Sequence, residues 1–222
     1  MTHVLIPIKS LDLAKTRLSA ALDPPARSGL VLAMLRDLLG VLKKCRIDEV
    51  WVISSDKIVL QLAGDFGVKT ICEEKSMGYN AAVNAGLHVI GEGKSVAILP
   101  GDIPSASRSD LIKLTSQVAA DTGEIHIVPD AAREGTNGLF LSSSTLIAPA
   151  FGVNSFSRHK FLATESGSRL NVMPLASLAL DIDSERDLQT FIDAGHVGST
   201  SAFLRENGMC QFPLAGKERS VA

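Results

Sequence analysis

The chain alternates short apolar runs with longer segments whose apolar residues recur at helical spacing, and this alternation constrains its fold more than any other feature. The pattern continues through most of the 222 residues. It is typical of an α/β protein with a central, mostly parallel sheet flanked by helices on both faces. The predicted strands are 4–8, 50–54, 68–72, 95–99, 124–128, 138–141 and 170–173. The predicted helices are 24–42, 56–66, 79–90, 107–119, 155–164, one that follows Ser184, and a short one over 201–206.

Length and composition restrict the class of protein. Hydrophobic residues make up 45% of the chain, which supports a sizeable core, and we expect one domain over residues 1–222. The formal charge of −2 gives no global attraction to nucleic acid or to an anionic membrane. No apolar run approaches the roughly 18 residues of a membrane span and no leader precedes the first strand, so we expect a cytoplasmic protein. Cys45, Cys72 and Cys210 lie far apart, which argues against a disulfide framework and a structural zinc site.

One carboxylate follows the apolar run 96–99, in the motif Leu99-Pro100-Gly101-Asp102-Ile103-Pro104. The two prolines cannot extend a central strand, and Gly101 allows close approach of the backbone. We therefore expect Asp102 on a tight turn at the carboxyl end of a buried strand, where α/β sheets hold their ligands. An aspartate that only closes a turn explains the motif nearly as well.

A second acidic element, Asp181-Ile182-Asp183, follows the apolar run 178–180. We expect this run to end another strand, in which residues two apart point the same way, so that Asp181 and Asp183 face one side. Asp183 can alternatively cap the next helix, whereas Asp181 in an apolar strand end needs a cation or donors to offset its desolvation. Three carboxylates at neighbouring strand ends favour a hard divalent cation, and we predict Mg2+ holding a phosphate group.

Three cations lie in the loop that follows the first predicted strand, at Lys9, Lys15 and Arg17. Lys15 offers a point charge and Arg17 a bidentate fork to phosphate oxygens, so the loop suits a nucleoside triphosphate. No glycine precedes Gly29, so this loop is neither a P-loop nor a Gly-x-Gly-x-x-Gly fingerprint. A solvated cationic face is the alternative interpretation.

Asn80 lies where a loop enters a predicted helix, in Gly78-Tyr79-Asn80-Ala81-Ala82. Its amide can hydrogen-bond a base or a ribose, while the helix N-terminus favours an anion. Asn80 can equally serve only as a helix cap. The sequence leaves both roles open.

Neutral donors mark two further loops, one before a predicted strand and one before a predicted helix. Thr136 and Asn137 occupy the first, and Gly152 and Ser155 the second. Hydroxyls and backbone N–H groups of this kind suit a small phosphate or carboxylate, although hairpin turns and helix caps use the same residue types. His159, in the first turn of the second loop's helix, is placed to reach an acidic substrate.

Taken together and in chain order, these motifs resemble the CofC/FbiD family, the guanylyltransferases of coenzyme F420 biosynthesis. The resemblance covers about residues 1–195 and leaves 196–222 as a C-terminal tail, longer than we expect for the family. The ordered set is more specific than any single motif. The segments that carry it are Pro7-Ile8-Lys9 with Lys15-Thr16-Arg17-Leu18, Gly78 to Ala82, Leu99 to Pro104, Pro129-Asp130 with Gly135-Thr136-Asn137, Phe151-Gly152 with Ser155-Phe156-Ser157-Arg158-His159, and Leu180 to Asp183.

The resemblance implies a nucleotidyltransferase fold of the GT-A type, which is Rossmann-like, and a reaction that joins GTP to a small phosphorylated three-carbon acid with release of pyrophosphate. Family members differ in that acid, which is 2-phospho-L-lactate, phosphoenolpyruvate or 3-phospho-D-glycerate. A molybdopterin guanylyltransferase or a sugar-phosphate nucleotidyltransferase is the alternative enzyme, although such enzymes usually keep a glycine-rich first loop. A non-catalytic nucleotide-binding protein on the same fold is the other alternative, and a homodimer is left open.

The resemblance also implies roles for single residues. Asp102, Asp181 and Asp183 match the Mg2+ carboxylates of the family. The residues implied to bind the nucleotide are Lys9, Lys15, Arg17 and Asn80, and the catalytic residues are Lys15, Arg17 and Asp102. The residues implied to bind the acceptor acid are Thr136, Gly152 and Ser155, to which we add Asn137 and His159. Tyr79 departs from the family, since a small or aliphatic residue is expected there, and this predicts a reshaped base pocket.

Overall fold

The computed structural model describes residues 1–116 and 123–209, so Cys210 and the rest of the predicted tail lie outside the described residues. Seven strands form one sheet: β1 (Thr2–Pro7), β2 (Glu49–Ser54), β3 (Lys69–Cys72), β4 (Ser95–Ile98), β5 (Glu124–Pro129), β6 (Thr136–Leu141) and β7 (Arg169–Val172). Their order is β3-β2-β1-β4-β6-β5-β7. Neighbouring strands are parallel except where β6 pairs with β4 and with β5. The predicted mostly parallel α/β sheet is confirmed.

Local signals explain where the helices begin. They are α1 (Pro24–Leu42), α2 (Lys57–Asp65), α3 (Tyr79–Ile90), α4 (Arg108–Thr115), α5 (Ser155–Glu165), α6 (Glu185–Asp193) and α7 (Ser199–Glu206). Asp23 caps α1 by accepting from the Ala26 N–H at 2.8 Å, and Ser184 forms a capping box with Asp187 at the start of α6. Residues 117–119 of the predicted fourth helix lie outside the described ranges. None of the helices in those ranges has the length and apolar character needed to cross a membrane.

Side chains alternate across the sheet and divide the core in two. On β1, Val4 and Ile6 pack into one cluster with residues of α1, α2, α4, α6 and α7, whereas Leu5 packs into a second cluster with α3 and α5. Every residue of the central strand β4 is buried. Because helices cover both faces, β4 is a continuous apolar run rather than an alternating one.

The apolar run 178–180 is not a strand, so the expectation that Asp181 and Asp183 end a strand is wrong. The backbone turns here, since the Leu178 N–H donates to the carbonyl of Leu175 at 3.0 Å. Both edges of β4 are already occupied, by β1 and by β6. No sheet edge is therefore available beside β4 for this run, and it crosses the end of the sheet as a loop.

The segment after residue 195 begins with a packed helix. The N-terminus of α7 is held by Asp37, whose carboxylate accepts from the N–H groups of Ser199 at 2.6 Å and Thr200 at 2.8 Å. Phe203 covers Gly29 so closely that a Cβ atom at Gly29 would lie 2.5 Å from its ring. The described part of the predicted tail thus belongs to the core of the fold.

Candidate active site

A cavity of about 320 Å3 lies at the carboxyl ends of β1 and β4. The loop after β1, the start of α3, the turn after β4 and Asp183 line it. Gly101 in that turn approaches β1 so closely that a Cβ atom there would lie 2.0 Å from the Ile8 side chain. A side chain at this position would have to displace Ile8, and glycine lets the turn bring Asp102 to the cavity without that shift.

Asp102 and Asp183 line this cavity, and the carboxylate of Asp181 lies beside theirs. One oxygen each from Asp102, Asp181 and Asp183 lies within 4.8 Å of the others. The loop that carries two of them is tied to the turn after β4, because the Ile182 N–H donates to the carbonyl of Asp102 at 3.1 Å. Ser184 is the residue that caps α6, so the alternative role of Asp183 as the helix cap is not observed.

The donor set of these carboxylates fits a hard divalent cation such as Mg2+. Asp102 Oδ1 is buried and has no hydrogen-bond partner in the described part of the chain, which leaves an acceptor ready for a cation. Burial and the charge of Asp102 raise the pKa of Asp181 to about 6. Asp181 is thus a carboxyl that resists ionisation beside two other carboxylates, an arrangement that a divalent cation stabilises, and carboxylate oxygens are the ligands that Mg2+ prefers.

Asn137 orients one of the three carboxylates. Its amide Nδ2 donates to Asp181 Oδ1 at 2.9 Å and to the carbonyl of Ala179 at 3.1 Å. Asn137 is 5% exposed and belongs to β6, so a strand of the sheet positions the loop carboxylate. Asn137 is predicted at the substrate, and in the structure its amide contacts one of the three clustered carboxylates.

The ammonium of Lys15 neutralises part of the negative charge of the three carboxylates. Its ammonium donates to Asp102 and, at 2.6 Å, to Asp183 Oδ1, and its side chain is only 6% exposed. Burial alone would lower the pKa of Lys15, but the two carboxylates outweigh it and hold that pKa above its usual value. The backbone of Lys15 adopts the left-handed conformation, with φ of 50°, between two 3₁₀ turns. Lys15 is therefore not part of a solvated cationic face.

The other two cations of the loop are placed differently. Lys9 and Arg17 line the same cavity as Lys15. The Arg17 side chain is 78% exposed, and its Nη1 lies 3.9 Å from Asp183 Oδ2. The structure thus brings all three predicted cations to the carboxylates, with one buried among them and two at the open side.

Asn80 joins two parts of the site. Its side-chain amide donates to the carbonyl of Phe151 at 3.0 Å, and its oxygen accepts from the Phe151 N–H at 2.8 Å. Gly78 is the N-cap of α3, so Asn80 does not cap the helix. Tyr79 lines the cavity and packs edge-on against Phe151, with ring centroids 5.2 Å apart.

Thr136 and Ser155 begin β6 and α5, and both are buried, at 7% and 2% exposure. The two elements are joined because the Phe156 N–H donates to the carbonyl of Glu134 at 3.1 Å. Gly152, just before α5, has φ of 107°, a conformation that disfavours any side chain. The structure thus brings the predicted acceptor residues Thr136, Gly152 and Ser155 to adjoining element ends.

His159 is fully buried beneath these residues. Its Nδ1 lies 3.0 Å from Thr136 Oγ1, and its Nε2 accepts from the Ala150 N–H at 2.9 Å. Burial, with a smaller contribution from Arg158, lowers the pKa of His159 to about 4. His159 is predicted to contact a substrate directly. In this structure both of its ring nitrogens contact protein groups, so neither is free for a substrate.

Asp130 belongs to the motif Pro129-Asp130, from which the sequence alone predicts no role for its carboxylate. Its carboxylate accepts from the N–H groups of Glu134 and Gly135, each at 2.9 Å, and so shapes the loop that leads to Thr136. Asp56 acts similarly on the loop after β1, since its Oδ2 accepts from the Leu11 N–H at 3.2 Å. The sequence signal for such a role is an aspartate next to a loop. This signal does not show which backbone N–H groups the carboxylate will bind.

Known proteins share both the sequence and the fold. A phosphoenolpyruvate guanylyltransferase from Rubrobacter xylanophilus is 36% identical over 195 residues, covering 87% of this chain and 94% of the relative. A 2-phospho-L-lactate guanylyltransferase from Methanothermobacter thermautotrophicus is 34% identical over 219 residues, covering 98% of this chain and 96% of the relative. The solved structure of a nucleotidyl transferase from the same organism superposes with a TM-score of 0.67 at 16% identity, covering 93% of this chain and 99% of the other, which supports the fold alone.

A family model described as "Guanylyl transferase CofC like" matches residues 2–220. The match includes most of the segment that the sequence analysis set apart as a tail. It agrees with the resemblance found in the motifs and with the identities above. The chain belongs to the family of CofC-like guanylyl transferases.

Proposed function

We propose that this chain transfers GMP from GTP to a small phosphorylated three-carbon acid, with release of pyrophosphate, in the biosynthesis of coenzyme F420. The observation that carries the proposal is the cluster of Asp102, Asp181 and Asp183, two of which line one cavity together with the cationic loop. Membership of the family supports the transfer of a guanylyl group, and the names of the relatives support a small phosphorylated acid as the acceptor. The acid is phosphoenolpyruvate, 2-phospho-L-lactate or 3-phospho-D-glycerate.

The nucleotide side binds by charge. Lys9, Lys15 and Arg17 line the cavity and offer an ammonium, a second ammonium and a guanidinium to the triphosphate. Asn80 holds the start of α3 against Phe151, and Tyr79 forms the adjacent wall, where we place the base and ribose.

The acceptor side binds by neutral donors. The hydroxyls of Thr136 and Ser155 and the backbone N–H groups around Gly152 suit the phosphate and carboxylate of a small acid. Asn137, the residue after Thr136, bonds Asp181, so the acceptor residues are tied to the carboxylates through β6. This connection fixes the acceptor phosphate relative to the metal site.

The reaction needs positioning and charge neutralisation rather than a general base. An acceptor phosphate oxygen, already anionic, attacks the α-phosphorus of GTP, and the bond from that phosphorus to the pyrophosphate oxygen breaks. Asp102, Asp181 and Asp183 would hold Mg2+, which supplies positive charge to the reacting phosphates. Lys15 and Arg17 stabilise the departing pyrophosphate.

A single assay tests the proposal. Purified protein is incubated with GTP and Mg2+ and with each of the three acids in turn, and pyrophosphate and the guanylylated product are measured; ATP and CTP serve as matched nucleotide controls. We expect product with GTP and at least one acid. Absence of product with all three acids contradicts the acceptor class, and GTP binding without any pyrophosphate release identifies a non-catalytic nucleotide-binding protein instead.

A further inference from the structure

The ring of His159 is held in one orientation by its surroundings. It is fully buried at the fifth residue of α5 and packs edge-on against Phe151, with ring centroids 4.9 Å apart and an interplanar angle of 72°. Both nitrogens meet protein groups, Nδ1 at Thr136 Oγ1 and Nε2 at the Ala150 N–H. A ring confined in this way cannot turn to exchange its two partners.

These partners determine which nitrogen carries the proton. A backbone N–H only donates, so Nε2 must accept from Ala150. A neutral imidazole carries one N–H, which must then be on Nδ1. Nδ1 therefore donates to Thr136 Oγ1, and the reverse arrangement would place two donors face to face at Ala150. The lowered pKa of the ring, about 4, keeps it neutral at pH 7.

The tautomer has a consequence for Thr136. Its hydroxyl accepts from His159, so its own proton is free to be donated elsewhere. We propose that His159 is a positioning residue that commits the Thr136 hydroxyl to donating a hydrogen bond to an anionic oxygen of the acceptor acid. The inference rests on the proposed function, and it assigns to His159 a task different from direct substrate contact.

The tautomer is measured directly on the wild-type chain. Long-range proton–nitrogen NMR spectra of protein labelled with 15N-histidine distinguish an Nδ1–H ring from an Nε2–H ring, and the His159 signals are assigned by their loss in His159→Asn. We expect a neutral Nδ1–H ring at pH 7. An Nε2–H ring, or a ring protonated on both nitrogens, overturns the proposal.

A matched pair of variants separates the role from simple packing. The amide of Asn places a donor where Nδ1 is, whereas the amide of Gln reaches the position of Nε2 and so keeps the Ala150 contact but loses the donor to Thr136. We expect His159→Gln to raise the KM for the acid about tenfold and His159→Asn to stay within about threefold of wild type, with the KM for GTP unchanged in both. Equal effects in the two variants, no effect in either, or the opposite order overturn the proposal.

A double variant tests whether His159 acts through Thr136. In a Thr136→Val background no hydroxyl remains, so His159→Gln should raise the KM for the acid no further. Effects that multiply contradict the proposal. If no acid gives product at all, the proposed function fails, while the NMR spectrum still decides the tautomer on its own.

Discussion

Two regions adjoin the three carboxylates, and they are built in opposite ways. The loop after β1 brings three cations, of which Arg17 is largely exposed, at 78%, and Lys15 is buried. The region around Thr136 and Ser155 offers neutral donors on residues that are at most 7% exposed. Several positive charges suit a triphosphate, whose many oxygens can be met in several ways, whereas buried neutral donors discriminate between small acids of similar charge.

The comparison predicts that changes in the first region and in the carboxylates reduce the chemical step, while changes in the second reduce only recognition of the acid. The following predictions test that division, beginning with the largest effect.

Asp102→Ala should lower kcat by about a thousandfold at saturating Mg2+, because it removes a proposed metal ligand and a partner of Lys15. Steady-state kinetics measures the loss, and thermal unfolding checks that the protein stays folded. Asp12→Asn, at an exposed carboxylate in the loop after β1, is the control and should retain wild-type rates. A variant at Asp102 with near-wild-type turnover would show that the metal assignment is wrong.

Lys15→Met should lower kcat/KM for GTP about a hundredfold, since it removes a buried cation from the path of the departing pyrophosphate. The KM for the acid should change little, which is what the division between the two regions requires. Lys75→Met, at an exposed lysine, provides the control. If the loss appeared chiefly in the KM for the acid, the two regions would not be separate.

Thr136→Val should raise the KM for the acid about tenfold while the KM for GTP stays the same, because it removes one hydrogen-bond donor at nearly constant volume. Thr136→Ser keeps the hydroxyl and should stay close to wild type. Initial-rate measurements with each substrate varied in turn make the comparison. A parallel rise in both KM values would mean that Thr136 supports the fold of the site rather than the acid.

The smallest effect concerns pH and stability. Burial lowers the pKa of His159 from 6.5 to about 4, with Arg158 as the charged neighbour, so between these values the unfolded chain binds more protons than the folded one. The contribution of His159 to the free energy of unfolding is thus complete above pH 6.5 and is lost as the pH falls toward 4.

Urea unfolding of wild type and His159→Asn at several pH values isolates this contribution, since the raised pKa of Asp181 works in the opposite direction and is common to both proteins. Wild type should lose more stability on acidification than the variant. Identical losses would show that the buried ring does not resist protonation.

The sequence predicted the parts of the fold that local signals determine. The cap at Asp23, the capping residue Ser184 and the apolar runs of the sheet all act over a few residues, and the elements formed where expected. The run 178–180 is as apolar as a strand, but it has no free sheet edge beside β4. Whether an apolar run can pair with a given strand depends on the order of the strands in the sheet. The apolar run itself does not determine that order.

The site shows the same limit. The spacing of Asp181 and Asp183 and the turn at Asp102 predicted carboxylates that meet, and they do. The contacts of Lys15 with Asp102 and Asp183 join residues 87 and 168 positions apart in the chain, so residue types alone could not predict them. His159 is similar, because its burial against Phe151 comes from the packing of α5 rather than from its position in the motif.

The ammonium of Lys15 is a counter-ion for the clustered carboxylates and is part of the chain itself. Because it bonds Asp102 and Asp183 directly, the folded protein balances much of the charge at the cavity with its own atoms. On the proposed function, we therefore expect this chain to fold without metal, unlike small domains that fold only when metal binds. The supply of metal would then set the fraction of the protein that is active and not the amount that folds.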